Sequence, residues 1–174
     1  MKRLWLRHER QRGQAMVEFA LVGLMFLVVV LGIMDFGYFY SGKVSATAAI
    51  RVAARYGAVH PISWDNSANP STNSIQGKLK LTAVPAVVVN DDAHVTISYL
   101  RPGVLAAGTI CGQYSATTNA FVGATGGDNV TNCPIAGNLV SVKVIYNYQW
   151  ITPMFKAGFQ NVTITGQADE YIEG

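Results

Sequence analysis

Side chains able to do enzyme chemistry are few in this chain and widely separated. His8, His60 and His94 have no spacing to each other or to the cysteines that is typical of a metal site. The sequence has no phosphate-binding loop, no dinucleotide fingerprint and no nucleophile elbow. The acidic turns at Asp91-Asp92 and Asp128-Asn129 lack the pattern of a calcium-binding loop. We therefore predict no enzymatic activity, no cofactor and no metal.

The side chain in the most unusual setting is Glu18, which lies in a long apolar segment. Phe19 to Met34 is a run of 16 residues without a polar side chain, and counting from Gln14 gives 21 residues. About 20 residues span the roughly 30 Å of bilayer hydrocarbon. The segment is therefore predicted to be a transmembrane helix. A carboxylate costs roughly 2.5–3.5 kcal/mol at the centre of such a helix and less near its end, so Glu18 either reaches the interface or has a positive partner.

Basic residues flank this segment unevenly. Five precede it and three follow it, namely Lys2, Arg3, Arg7, Arg10 and Arg12, then Lys43, Arg51 and Arg55. The positive-inside rule predicts a cytoplasmic N-terminus and an exported remainder. Residues 1–57 carry eight basic and three acidic residues, a net charge of +5, whereas residues 58–174 carry five and seven, a net of −2. Because the folded part is not basic, we expect no binding to nucleic acid.

The N-terminal segment admits three interpretations. A secretory signal peptide needs a cleavage site, and the nearest, Ala46-Thr47-Ala48, lies some 12 residues beyond the apolar run. A plain signal anchor would hold an exported domain at the membrane. The third interpretation is a cut after Gly13, which would create an α-amino group at Gln14 and make Glu18 the fifth residue. In low dielectric, pairing that amine with a neighbouring subunit's Glu18 would specify register more than it adds stability.

Two motifs in this region carry a family resemblance. The sequence R-G-Q-A-M-V-E-F spans Arg12 to Phe19, and G-I-M-D-F-G spans Gly32 to Gly37. Together with the alanine-rich stretch from Ser45 to Gly57, they closely resemble the TadE-like family, pilin-like proteins of the bacterial tight-adherence (Flp-type) pilus. The resemblance covers residues 12–58 well and extends weakly to Val140–Glu173.

The resemblance implies processing and assembly roles for individual residues. A prepilin peptidase would cut between Gly13 and Gln14, where a small residue precedes the bond. Glu18 and Phe19 would act in assembly and register, although many major pilins of this system have Tyr in place of Phe19. The implied partners are the peptidase, other pilins, the pilus assembly machinery and the bacterial inner membrane.

The resemblance and the hydropathy together imply a long helix over residues 14–57. Residues 1–13 would be a cytoplasmic leader, 14–35 the membrane span and 36–57 an exported continuation. Asp35 is interpreted as an interfacial residue in the helix-exit motif Asp35-Phe36-Gly37, with an assembly contact as the alternative. A stripe of small residues follows, and we favour its packing against the protein's own sheet over bundling with other subunits; it consists of Ala46, Ala49, Ala53 and Gly57.

Residues 58–174 are predicted to form an exported domain. A loop over 61–74 and a short helix over about 73–84, with Ile75 and Leu79 inward, precede the strands. Alternating residues predict strands at 94–100, 139–150 and 160–171, with 139–150 in the centre. Three antiparallel strands against the long helix make an α+β fold.

Both cysteines, Cys111 and Cys133, lie in the long insertion at 102–138 that separates two of these strands. In an exported domain such a pair favours a disulfide over two free thiols. The insertion is predicted to be a loop held by that bridge.

These expectations converge on a minor pilin (pseudopilin) that acts in pilus assembly or as a priming or tip component in surface adhesion. The alternative is a signal-anchored exported binding domain that never enters a filament. A soluble periplasmic protein released by signal peptidase is the third possibility.

Overall fold

One helix, α1, runs from Lys2 to Val59 and forms the axis of the protein. The structure is a computed structural model that describes residues 2–83, 88–102, 109–124, 127–158 and 161–174. At 1.5 Å per residue the 58 residues of α1 extend about 87 Å. The helix extends further toward the N-terminus than the predicted start at residue 14, because α1 already includes the basic segment before Gly13. That segment is rich in Leu, Arg, Glu and Gln, which favour helix, and contains no proline.

The two halves of α1 have different surroundings. From Gly13 to Met34 nearly every side chain is exposed, whereas from Asp35 onward one face is buried in the domain. Among the described residues, Gly13–Val59 is the one helix long and apolar enough to cross a membrane. The exposed first half therefore indicates a single-pass membrane anchor, and the second half is the spine of the domain.

The domain is a five-stranded antiparallel sheet packed on the second half of α1. Its strands are β1 (Val95–Arg101), β2 (Thr109–Ser115), β3 (Ala120–Gly123), β4 (Leu139–Tyr148) and β5 (Val162–Tyr171). The spatial order is β3-β2-β1-β4-β5. Two short helices complete the fold: α2 (Ile75–Thr82) after α1, and α3 (Pro153–Gly158) between β4 and β5. The α+β prediction is confirmed.

Three of the five strands agree with the predicted ones, and two were missed. β1, β4 and β5 lie where alternation indicated strands. The insertion at 102–138 is not simply a loop, because it contains β2 and β3 as a hairpin; its residues 103–108 and 125–126 are outside the described part. The alternation is hidden there, since the β1–β2 register shifts between Tyr99 and Leu100 and β3 has only four residues. With five strands, β1 is the middle one, and β4 lies beside it between β1 and β5.

Helix α2 closes the open end of the core. Ser74 is its N-cap and accepts a hydrogen bond from the Gly77 amide at 3.0 Å. Ile75 and Leu79 are fully buried, as predicted. Gly77 is required here because a Cβ at this position would lie 1.8 Å from the Ser71 carbonyl oxygen.

Small residues allow α1 to lie close to the sheet. Ala49 and Ala53 are completely buried, and a Cβ on Gly57 would come within 3.3 Å of Val140. On the sheet side, a Cβ on Gly166 of β5 would lie 2.5 Å from the end of Ile50. The predicted small-residue stripe therefore packs against the protein's own strands β4 and β5, and is not available to other subunits.

This close approach makes the helix face sensitive to added volume. We predict that Ala53→Leu lowers the free energy of unfolding of the domain by about 1–3 kcal/mol, because the extra atoms overpack the interface. The matched control is Val52→Leu, whose side chain is 43% exposed and should change stability by less than about 0.5 kcal/mol. Thermal unfolding of the full chain in micelles measures both, and equal effects would contradict the packing described here.

Candidate functional site

The exposed half of α1 presents apolar side chains around its full circumference. Large side chains that are more than half exposed occur at 12 of the 22 positions from Gly13 to Met34, namely Met16, Val17, Phe19, Leu21, Val22, Leu24, Met25, Phe26, Leu27, Val29, Ile33 and Met34. A helix with one apolar stripe could bury it on its own domain, but a helix apolar on all sides requires lipid or other helices. This surface is the first part of the candidate site.

Glu18 is the single carboxylate on this surface. Its Oε1 accepts a hydrogen bond from Gln14 Nε2 at 3.2 Å, one helical turn toward the N-terminus. The contact joins a carboxylate to a neutral amide, and no ion pair of Glu18 occurs among the described side chains. Phe19, beside it, is 80% exposed. The arrangement leaves the charge of Glu18 available to a cation from another molecule.

Gly13 lies inside the continuous helix and is exposed. A Cβ at this position would meet no atom within 4 Å, so packing does not require glycine here. Glycine in a helix interior is about 1 kcal/mol less favourable than alanine, so the helix is locally weak at the bond to Gln14. A protease that binds its substrate in extended form would open the helix most readily at such a position.

Asp35 is buried where α1 enters the domain. It is 2% exposed, and its carboxylate accepts hydrogen bonds from the amides of Ile151 and Thr152, both at 3.3 Å, and from the Thr152 hydroxyl. The sequence predicts Asp35 to be an interfacial residue at the helix exit, with an assembly contact as the alternative. In the structure its carboxylate joins α1 to the segment between β4 and β5. Nothing in the sequence indicates these partners, which lie 116 and 117 residues away.

Aromatic rings surround this junction. The ring of Phe39 lies 5.3 Å from that of Tyr148 and 6.4 Å from that of Trp150, and the last two are 5.5 Å apart. The Tyr148 hydroxyl donates to the backbone carbonyl of Asp35 at 3.3 Å. Burial, and then the Asp35 charge, raise the pKa of Tyr148, which keeps the hydroxyl protonated as a donor. The rings and the hydrogen bonds together fix the orientation of the domain on the helix.

The other two residues of the exit motif differ from Asp35. Phe36 is 63% exposed, and Gly37 is exposed with open space around it. Phe36 and Gly37 therefore face outward while Asp35 faces the domain. Asp35 is held by hydrogen bonds from the domain, whereas the ring of Phe36 lies 6.3 Å from that of Phe39 on α1 itself.

A disulfide and Asp92 hold opposite ends of β2. Cys111 in β2 is bonded to Cys133, with the two Cα atoms 5.8 Å apart. Asp92 accepts hydrogen bonds from the Ser115 hydroxyl, the Ala116 amide and the Thr117 hydroxyl at 3.0, 2.6 and 2.9 Å. Desolvation alone would raise the pKa of Asp92, but these bonds outweigh it and lower the pKa below its usual value. Sequence reasoning treated Asp92 only as a turn residue.

The described residues contain no group of three or more His, Cys, Asp or Glu side chains that could hold a metal ion. The imidazole of His94 contacts the carboxylate of Asp91 at 2.9 Å. The candidate site is thus a surface and a junction on α1.

Comparison with known proteins identifies the same segment. Residues 13–55 match the family described as TadE-like protein, which confirms the resemblance drawn from the two motifs. The match covers the exposed half of α1, Asp35 and most of the small-residue stripe, and it ends before the sheet. No curated protein and no solved structure matches the chain.

The Asp35 junction yields a stability prediction. Asp35→Ala leaves the amides of Ile151 and Thr152 without their acceptor, so we expect a loss of about 1–3 kcal/mol in the free energy of unfolding. Amide exchange at Thr152 should become faster in the full chain held in micelles.

Asp169→Ala is the matched control, because Asp169 is an exposed carboxylate on β5 that accepts only from Gln167 among the contacts described. It should change stability by less than about 0.5 kcal/mol. An Asp35→Ala variant as stable as this control, with unchanged exchange at Thr152, would contradict the junction.

Proposed function

We propose that this chain, TadE-like in its first helix, is a minor pilin of a tight-adherence pilus, cut by a prepilin peptidase between Gly13 and Gln14. One observation carries the proposal: an all-round apolar helix holds a single carboxylate, Glu18, five residues beyond Gly13 and continues without interruption into the domain. The protein would act in assembly, as a priming or tip component in adhesion, and would perform no catalysis.

The proposed topology has the N-terminus in the cytoplasm and the domain exported. The excess of basic residues before Gly13 favours this orientation. The disulfide between Cys111 and Cys133 supports it as well, since such bonds persist outside the reducing cytoplasm. The inner membrane of a bacterium is the proposed location before assembly.

Cleavage would change the charge of the chain. Residues 1–13 carry five basic and one acidic side chain, a net of +4, and the whole chain carries +3, so the mature side chains sum to −1. The positive leader anchors the helix on the cytoplasmic side, because charged residues do not cross the hydrocarbon readily. Its removal would allow the helix to leave the bilayer toward the exported side.

The new α-amino group supplies the cation that Glu18 lacks. Gln14 and Glu18 are one turn apart, about 6 Å along the axis. Two helices packed with a small axial offset would therefore bring the amine of one subunit to the Glu18 carboxylate of the next. Only one axial offset brings the amine and the carboxylate together. At any other offset a buried charge would lack its partner, so the pair would set the register of the two helices.

The exposed surface of α1 is suited to such a bundle. The small-residue stripe is already used by the protein's own sheet, so bundle contacts would come from the segment before Asp35. A few apolar side chains on the outer face of the later half extend this surface, namely Tyr38, Tyr40, Val44 and Val52. Pilins of the main shaft in this system are small, so the large domain favours a minor subunit.

A signal-anchored binding domain outside any filament is the second candidate. An open depression of about 330 Å³ on the surface of the domain favours it, because aromatic rings and a few polar groups line it together. Trp64 and Phe121 line it together with Asp128 and Asn129. Deletion of the gene distinguishes the two: only a pilin is needed for pili.

The Glu18 charge is the most direct target for testing assembly. Glu18→Gln keeps the size of the side chain and inserts at least as well, but it cannot pair with an amine. Removing one partner of a buried ion pair costs roughly 3–5 kcal/mol, so pili on cells carrying this variant should fall by at least about tenfold. Pili are counted by electron microscopy, and the amount of the variant in the membrane is measured in parallel.

Asp169→Asn, which neutralises an exposed carboxylate on β5, is the matched control and should leave pilus number unchanged. Wild-type piliation with Glu18→Gln at normal membrane levels would rule out the register role of Glu18.

A further inference from the structure

The segment that joins β4 to β5 lies at the same height on α1 as the end of the membrane span. We propose that this segment, residues 149–158 with helix α3, is a second membrane contact that rests on the outer lipid surface beside the exit of α1. The inference uses the membrane anchor but not the pilus, so it goes beyond the proposed function. From here on it is called the β4–β5 connection.

Hydrogen bonds determine the height of the β4–β5 connection. Asp35 directly follows Met34, the last residue of the apolar run, and accepts from the amides of Ile151 and Thr152. Ala15 to Met34 is 20 residues, which is about the length that spans the hydrocarbon. Ile151 and Thr152 are therefore held at the hydrocarbon edge whenever the helix spans the bilayer.

The composition of the β4–β5 connection suits a lipid surface. Its sequence, QWITPMFKAG, has four large apolar residues, one lysine and no acidic residue. Ile151 is 60% exposed, although it is a large aliphatic side chain. Lys156 is exposed and carries the charge that anionic headgroups attract. Apolar residues with a flanking lysine are typical of segments that lie in the interface.

The neighbouring face of α1 extends the same surface. Phe36 is 63% exposed and Tyr40 is 60% exposed, within about one and a half turns after Asp35. Trp150 packs with Phe39 and Tyr148 just above them. Tryptophan and tyrosine concentrate at membrane–water interfaces, where the ring is apolar and its edge is hydrated. The helix exit and the β4–β5 connection thus form one continuous apolar and aromatic surface, which favours lipid as its occupant.

A second contact would give the domain a fixed orientation on the membrane. A lone helix allows an attached domain to tilt, whereas a helix and a nearby anchored segment do not. The contact would also affect removal of the protein from the bilayer, because the β4–β5 connection would have to leave the lipid together with α1. A neighbouring subunit's helix is the other possible occupant of this surface, and the experiment below separates it from lipid.

Depth of a spin label in liposomes tests the proposal. The full chain is reconstituted alone into phosphatidylcholine vesicles with about 30% phosphatidylglycerol, and one label is attached in each variant, since both native cysteines form the disulfide. Ile151→Cys carries the reporter label. Ile62→Cys is the matched control: Ile62 is also 60% exposed but lies beyond Val59, about 36 Å along α1 from Asp35. Leu24→Cys reports whether α1 itself spans the bilayer.

Two relaxation agents are compared at each labelled position: oxygen, which concentrates in lipid, and a water-soluble nickel chelate. The agent that relaxes the label more should differ between positions in lipid and positions in water. At positions 24 and 151, oxygen should relax the label more than the nickel chelate does. At position 62 the order should be reversed. Adding Lys156→Gln should raise the nickel accessibility at position 151, because an attraction to phosphatidylglycerol is lost.

The proposal is overturned if the label at position 151 behaves like that at position 62 while position 24 remains in lipid. That outcome leaves the membrane anchor and the proposed pilin function intact and shows that lipid does not cover this surface. If the label at position 24 is itself accessible to the nickel chelate, α1 does not span the bilayer. Both the membrane anchor and the second membrane contact are then contradicted.

Discussion

Apolar side chains surround α1 from Gly13 to Met34, and the protein's own domain cannot bury them. The sheet covers one face of a helix, and it covers that face only from Asp35 onward. The same rigid helix must therefore satisfy two environments: lipid or other helices in its first half, and a packed core in its second half. Burial of this first half is the requirement from which the topology, the position of the domain and the need for partners all follow.

Asp35 stands where these two environments meet. A buried carboxylate is costly unless it is hydrogen-bonded, and here three donors from Ile151 and Thr152 satisfy it. Because those donors belong to the segment after β4, the junction sets both the direction and the height of the sheet relative to the membrane. Glu18, in contrast, has one neutral partner, Gln14. Asp35 thus completes the fold, whereas Glu18 has no ion pair among the described side chains.

Periodic patterns predicted much of this architecture from the sequence, and contacts between distant residues account for the rest. The long helix, α2, β1, β4 and β5 follow from apolar spacing, and the alanine stripe correctly indicated the face of α1 that packs on the sheet. The β2–β3 hairpin was missed because a register shift and glycines interrupt its alternation. The partners of Asp35 were missed because hydrogen bonds across more than 100 residues leave no local signal. The helix was predicted to begin only at residue 14 because the basic residues before it indicated a leader, and the same residues also favour helix.

The mature N-terminus tests most directly whether the chain is a pilin-type substrate. Mass spectrometry of the protein extracted from membranes should give a chain that begins at Gln14, and only in cells with an active prepilin peptidase. Gly13→Ala should still be cut, whereas Gly13→Leu should not, because the residue before the bond must be small. A chain that keeps Met1 in peptidase-containing cells would contradict the account and leave a signal-anchored domain as the better description.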